Sequence, residues 1–399
     1  MTLDQILTVR KFPDPNTSED VLTKNSSLGG TGPNIAVAAA RLGCPTALCA
    51  LVGTDFPEAQ RRFIEASGVI MDEFVTVEGC ETSTAVVVND PGLTQKVLFF
   101  QGPQGIASEL GVELRSNARR SKYVHFCTGD PEFYIDTMLA VDGPRKAIDP
   151  AQESHRIWNA DNFNRALPLA DAVFCNNFEA ESLSRYAGAV DILDLDKGLV
   201  VCTMGSKGSV AKVGGEVLRI PAVQADRVVD ATGCGDTYRA GFYAALYRGY
   251  AVPEALVVAA AVASFVIEET GALTNVPTWD MAEARAEPYL GKICRRPRRG
   301  FRTPSEGIGT PSSWSIVLWS GVISLRTHLS PTRETFSFPI SDITSMADMR
   351  SSMVPALMRD SSSLRTATAM NSWRNAPLAS FTLEKNRAPS SRSSLNCLR

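Results

Sequence analysis

Ala172-Val-Phe-Cys-Asn-Asn-Phe-Glu-Ala-Glu-Ser-Leu-Ser-Arg-Tyr186, with Leu199-Val-Val-Cys-Thr203 downstream, reads as buried strand, helix and second buried strand. The two apolar runs, 172–175 and 199–203, show no polar alternation, so both faces of each strand must be covered. Working outward, the runs 123–127 and 147–148 repeat the pattern, and helical stretches over 132–139, 160–168 and 179–186 separate them. Unalternating strands spaced by helices predict an α/β fold with a mainly parallel sheet covered on both faces. Ligands of such sheets sit at the carboxyl ends of the strands.

Residues 1 to about 100 read differently. Short alternating runs around residues 6–9, 19–22, 83–88 and 96–100 predict strands, with the turns Pro13-Asp-Pro-Asn16 and Asn89-Asp-Pro-Gly92 between them. An Ala-rich helix over 33–42 ends at Gly43, where a C-cap glycine belongs, and a buried strand follows over 46–52.

Two motifs carry chemistry. In Val229-Asp-Ala-Thr-Gly-Cys-Gly-Asp-Thr-Tyr-Arg-Ala-Gly-Phe242, closely spaced glycines let the backbone turn tightly before a helix carrying Tyr238, Phe242, Leu246 and Tyr250. A helix start presents unpaired N–H groups and a favourable dipole to an anion. Asp236 lies in that first turn, either as a plain helix cap or as a general base beside a bound phosphate. Asp230 could help hold a metal or a water. The segment is not a Gly-x-x-x-x-Gly-Lys phosphate loop. The second motif, Gly29-Gly-Thr-Gly-Pro-Asn34, has the wrong glycine spacing for a dinucleotide fingerprint. Asn34 can cap the helix or meet a ligand hydroxyl.

These segments resemble the two signatures of the PfkB family of carbohydrate kinases, which includes ribokinase and adenosine kinase. The first matches through Gly30, Gly32, Asn34, Ala36, Gly43 and Gly53, and the second through Asp230, Gly233, Gly235, Asp236, Ala240 and Gly241. Asn176-Asn-Phe-Glu179 is similar to the family's Asn-x-x-Glu motif, and Thr203-Met-Gly-Ser-Lys-Gly208 to its nucleotide segment. The resemblance spans about residues 1–290. It implies a ribokinase-like three-layer sandwich with a small β-strand lid drawn from about 6–30 and 83–100.

It also implies roles. Asp236 would be the catalytic base, and the N–H groups of Gly233, Cys234 and Gly235 an anion hole for the transferring phosphoryl group. Asp4, Gly30 and Asn34 would line the acceptor pocket, with Asp130 a further candidate. Asn176, Thr203, Gly205, Lys207 and Gly208 would meet ATP, although a solvated loop lysine is an equal reading of Lys207. Glu179 would support Mg2+ through water, against the plainer reading of a first-turn carboxylate. A monovalent cation and a homodimer through the lid also follow from the resemblance. The acceptor is a sugar or a nucleoside, with the nucleoside favoured on Asp149-Pro-Ala-Gln-Glu and Thr128-Gly-Asp-Pro. A catalytically impaired binding protein on the same fold is the rival reading, and a dinucleotide-dependent oxidoreductase a remote one.

Composition sets the remaining bounds. The 399 residues are 44% hydrophobic and 21% charged with a net charge of −3, which points away from nucleic-acid and membrane-surface binding. The nine cysteines show no Cys-x-x-Cys pair and several lie in apolar runs, as expected of small hydrophobes in a reduced cytoplasmic protein. Cys234 reads as a packing residue, or as a thiol acidified by the helix start. Past about Gly291 the chain becomes rich in Ser and Arg, with 21 serines among residues 301–399. That pattern predicts a kinase domain over 1–291 and an unstructured tail over 292–399, read either as disordered or, preferably, as a frame-shifted extension. Family members carry a buried strand before the early Asp, so the sheet is expected to lack its first strand and to leave a neighbouring edge unpaired.

Overall fold

The computed structural model describes residues 1–92, 95–297, 316–319 and 323–325. The chain begins β1 (Thr2–Val9), β2 (Val21–Gly29), α1 (Thr31–Arg41), β3 (Thr46–Val52), α2 (Glu58–Ala66), β4 (Phe74–Thr76), β5 (Thr84–Asn89) and β6 (Gln95–Phe100). It continues with α3 (Ser116–Arg119), β7 (Tyr123–Phe126), α4 (Pro131–Ala140), β8 (Arg145–Ile148), α5 (Ala160–Ala166), β9 (Ala172–Asn176) and α6 (Asn177–Tyr186). Then come β10 (Leu199–Thr203), β11 (Ser209–Val213), β12 (Glu216–Ile220), α7 (Cys234–Tyr247), α8 (Val252–Val266) and α9 (Trp279–Leu290). Three short strands close the described chain: β13 (Cys294–Pro297), β14 (Ile316–Trp319) and β15 (Ile323–Leu325).

The central sheet runs β13-β12-β11-β10-β9-β8-β7. Strands β7 to β10 are parallel, and β11 to β13 add an antiparallel edge. Alternate residues of each buried strand feed two separate cores. Leu48, Ala50, Phe174 and Val201 pack under α1, α7 and α8. Ala47, Cys49, Leu51, Val173, Cys175 and Val200 pack towards α4, α5 and α6. The result is helix, sheet and helix in three layers, and it explains why these strands show no alternation. Each large side chain buried as fully as Phe174 contributes about 1.5–3 kcal/mol.

A second sheet, β2-β1-β5-β6, forms the lid. Strand β2 is longer than its sequence suggests. Its Val-Leu-Thr-Lys-Asn-Ser-Ser-Leu-Gly run is exposed over its first seven residues, so burial imposes no alternation to read. The antiparallel pairing of β1 with β2 and the parallel pairing of β1 with β5 bring the lid to the start of α1.

Strand β3 pairs in parallel with β14, from Ile316 opposite Thr46 to Trp319 opposite Cys49. Strand β13 likewise extends β12. Of the segment 292–399, expected to be an unstructured tail, only 292–297, 316–319 and 323–325 are described, including β13, β14 and β15, and the rest lies outside the described residues.

Candidate active site

The site forms where α1 and α7 begin, beside the carboxyl ends of β8, β9 and β10. Gly30 opens α1 with φ +97°, a conformation that disfavours any side chain, and the helix then presents Asn34 from its first turn. Gly233 opens α7 with φ +74°, and a Cβ there would lie 2.2 Å from that of Ala272. The left-handed turn and the close approach both demand glycine. They aim Asp236 across to α1, where Asn34 Nδ2 donates to Asp236 Oδ2 over 2.8 Å.

Burial pushes the Asp236 carboxyl up to about 7. The Asn34 hydrogen bond and the Arg239 guanidinium pull it down, whereas the Asp149 and Glu179 carboxylates add to the rise. A carboxylate tuned near neutrality suits proton abstraction from a hydroxyl at physiological pH. Asn34 Oδ1 is buried and has no hydrogen-bond partner. Such an acceptor next to the base is a place for a ligand O–H, because a buried polar group left unpaired is costly.

Asp4 lies on β1, facing Gly29 of β2 so closely that a Cβ at Gly29 would sit 2.1 Å from the Asp4 carboxylate. Burial raises Asp4 to about 6, with the Met1 amine acting in the opposite sense. Asp130 is built into the fold. It caps α4 through Glu132 N–H, and its other oxygen accepts from the Ser108 N–H and hydroxyl.

Asn176 ends β9 and caps α6. Its Oδ1 accepts from Phe178 and Glu179 N–H, while its own N–H and Nδ2 donate to the Glu179 carboxylate at 2.7 and 2.6 Å. Burial, with a contribution from Asp149, raises Glu179 to about 7. Thr203 ends β10, and a tight turn follows in which Met204 N–H reaches the Gly208 carbonyl. Gly208 adopts φ +81°, where a Cβ would lie 2.1 Å from the Ile220 carbonyl, and Lys207 is exposed.

Asp230 uses its carboxylate structurally. It accepts from Thr232 N–H and hydroxyl and from Gly271 N–H, and these bonds hold it below the usual carboxylate range against the cost of burial. Of the three N–H groups read as an anion hole, that of Cys234 donates to the Ala231 carbonyl over 3.2 Å. The Cys234 thiol is not acidified by the helix start. Burial pushes it up to about 11, with Asp230 and Asp236 adding to the effect.

Sequence reasoning missed the polar cluster beneath the base. Arg239 of α7 pairs with Asp149, which follows β8, and Asp149 also meets His125 of β7 at 3.1 Å. All three are buried, and His125 is further held by Tyr243 Oη at 2.8 Å. Burial lowers the His125 pKa, so the ring is neutral at pH 7. Burial alone would raise Asp149, but Arg239 and His125 outweigh it and hold the carboxyl at about 2. The histidine inside the apolar run 123–127 was a signal available in the sequence, whereas Asp149 and Arg239 stood in quoted motifs without any sign that they meet.

The signature of the pfkB family carbohydrate kinases matches residues 1–279. The chain belongs to this family. Its members transfer phosphoryl groups to hydroxyl acceptors, and as one of these kinases the chain draws on ATP. A nucleoside kinase of Methanocaldococcus jannaschii is 33% identical over 72% of this chain and 94% of its own length. A nucleoside kinase of Methanothermobacter thermautotrophicus is 34% identical over 70% and 91%. The crystal structure of the M. jannaschii nucleoside kinase, an archaeal member of the ribokinase family, superposes with a TM-score of 0.66 at 32% identity. It covers 72% of this chain and 95% of that one. No helix among the described residues is long and apolar enough to cross a membrane.

Proposed function

We propose that this PfkB-family kinase phosphorylates a nucleoside on a ribose hydroxyl, with Asp236 as general base. The observation that carries the reading is the Asn34–Asp236 pair, in which one carboxamide atom holds the base and the other is a buried, unpaired acceptor. A substrate hydroxyl donating to Asn34 Oδ1 would lie within reach of Asp236. Asp236 then takes the hydroxyl proton as the oxygen attacks the terminal phosphorus of ATP, and the phosphorus–oxygen bond to ADP breaks. First-turn N–H groups of α7 stabilise the charge that grows on the transferring group. Asp4, on the lid strand β1, holds further ribose hydroxyls, and Gly30 leaves them room. The nucleotide lies along Asn176, Thr203, Gly205, Lys207 and Gly208 at the ends of β9 and β10.

Among the described residues no group of three or more His, Cys, Asp or Glu side chains is arranged to hold a metal. The raised, buried Glu179 fits a water-mediated role towards magnesium carried on the ATP phosphates, and Asp230, saturated by protein donors, fits it less well. Magnesium would supply neutralisation of phosphate charge. Residues 1–291 hold every residue of this site, and the lid strands expose Val21, Leu22, Val97, Leu98 and Phe100, an apolar surface that supports pairing of two copies. The family's reading of a monovalent cation, and the cysteine-based reading of a cytoplasmic setting, stand alongside these as expectations.

The choice of acceptor is tested by ADP release across purine nucleosides, pyrimidine nucleosides, ribose and fructose 6-phosphate. The reading expects the highest kcat/KM with a nucleoside. A higher value with either sugar assigns the site to a sugar kinase.

A further inference from the structure

Two residues of α7, one helical turn apart, converge on a single buried carboxylate under the site. Arg239 Nε and Nη2 donate to Asp149 Oδ2 and Oδ1 at 2.6 and 3.1 Å. Tyr243 reaches the same carboxylate through His125, whose Nδ1 lies 2.8 Å from Tyr243 Oη and whose Nε2 lies 3.1 Å from Asp149 Oδ2. With His125 neutral, both links are satisfied by one tautomer, in which Nε2–H donates to Asp149 and Nδ1 accepts from Tyr243. The third guanidinium nitrogen, Arg239 Nη1, donates to the Gly235 carbonyl at 3.1 Å. Gly235 belongs to the turn that opens α7 and directly precedes Asp236.

We infer that Arg239 is a positioning residue: its guanidinium ties the Gly235 carbonyl to Asp149 at the end of β8 and so fixes the phosphate-facing turn and Asp236 relative to the sheet. The inference rests on the reading of Asp236 as the base. Asp149 is fully buried and Arg239 nearly so, and a buried ion pair of this kind gains little net stability after desolvation. Its three-nitrogen geometry instead constrains direction. Two bonds orient the planar guanidinium on the carboxylate, and the third carries that orientation to the backbone of the turn. Lysine can satisfy Asp149 or the Gly235 carbonyl but lacks the fork that reaches both. Backbone N–H groups that stabilise a transferring phosphoryl group are sensitive to small misplacements, so a loosened turn costs chemistry more than ground-state binding.

The test compares three full-length proteins: wild type, Arg239→Lys, and the double variant Asp149→Asn with Arg239→Met. The double variant removes both charges, so neither remains buried alone. Steady-state kcat and KM for ATP and for the turned-over acceptor are measured alongside Tm. The inference expects both variants to hold each KM within about threefold of wild type while kcat falls at least tenfold, with Arg239→Lys the milder of the two. It is overturned by wild-type kcat in Arg239→Lys, whatever the folding of the double variant. It is overturned equally by a variant whose kcat falls only in proportion to its loss of folded protein. A wild type without acceptor-dependent turnover contradicts the reading of Asp236 and this inference with it, whereas a wild type that turns over beside an equally active Arg239→Lys contradicts this inference alone.

Discussion

Asn34 and Asp236, 202 positions apart in the chain, are joined by one hydrogen bond of 2.8 Å between the first turns of α1 and α7. This contact unites the two sequence motifs in one site and pulls the pKa of the base below where burial alone would put it.

Replacing Asp236 by Asn keeps the Asn34 contact but removes the proton acceptor. We expect kcat to fall by about 10²–10⁴-fold while ATP binding, followed by calorimetry, is unchanged. Stability moves the other way. The folded-state pKa of Asp236 is raised to about 7 from 3.8, so the native protein loses stability as pH rises from about 4 towards 7 and the loss is complete above it. Asp236→Asn escapes that loss, so its Tm exceeds that of wild type at pH 8 and the difference vanishes near pH 4.

The pH dependence of turnover follows from the same group. Only the ionised form of Asp236 accepts a proton, so kcat/KM climbs with pH through about 7 and then levels. The Asn34 hydrogen bond favours the ionised form, so Asn34→Ala shifts the acid limb to higher pH. A limb that stays in place or moves to lower pH argues against Asp236 as the titrating group.

Gly233→Ala places a Cβ into Ala272 at a residue with φ +74°. Strain of this kind costs about 1–3 kcal/mol before the collision is counted. Chemical denaturation should show a loss in that range or beyond, and kcat should fall because the turn displaces Asp236.

Gly29→Ala meets the Asp4 carboxylate at 2.1 Å and must push it aside. The expected result is a raised KM for the acceptor with the KM for ATP unchanged. An equal effect on both substrates places Asp4 outside the acceptor pocket.

Much of this arrangement was legible in the sequence. The strands over 46–52 and 199–203 stand at the bounds read from their unbroken apolar character, because burial on both faces leaves a clear signature. Gly233 and Asp236 were legible because a tight turn at a helix start constrains residue type strongly. Strand β2 and the short polar-flanked helix α2 were less so. Each is largely exposed, and exposed residues carry little pattern. The Asp149–Arg239–His125 cluster was hidden for a different reason. Its members come from β7, the end of β8 and α7, and only the folded sheet brings them together. The pairing of β14 with β3 is a contact of the same long-range kind.

The central claim is that Asp236 deprotonates an acceptor hydroxyl that attacks ATP. ADP release by wild type and Asp236→Asn, with saturating ATP and a nucleoside acceptor, tests it most directly. The account predicts acceptor-dependent ADP release in the wild type and its loss by at least about a hundredfold in Asp236→Asn, at equal folded fraction. Equal acceptor-dependent release by the two proteins contradicts it.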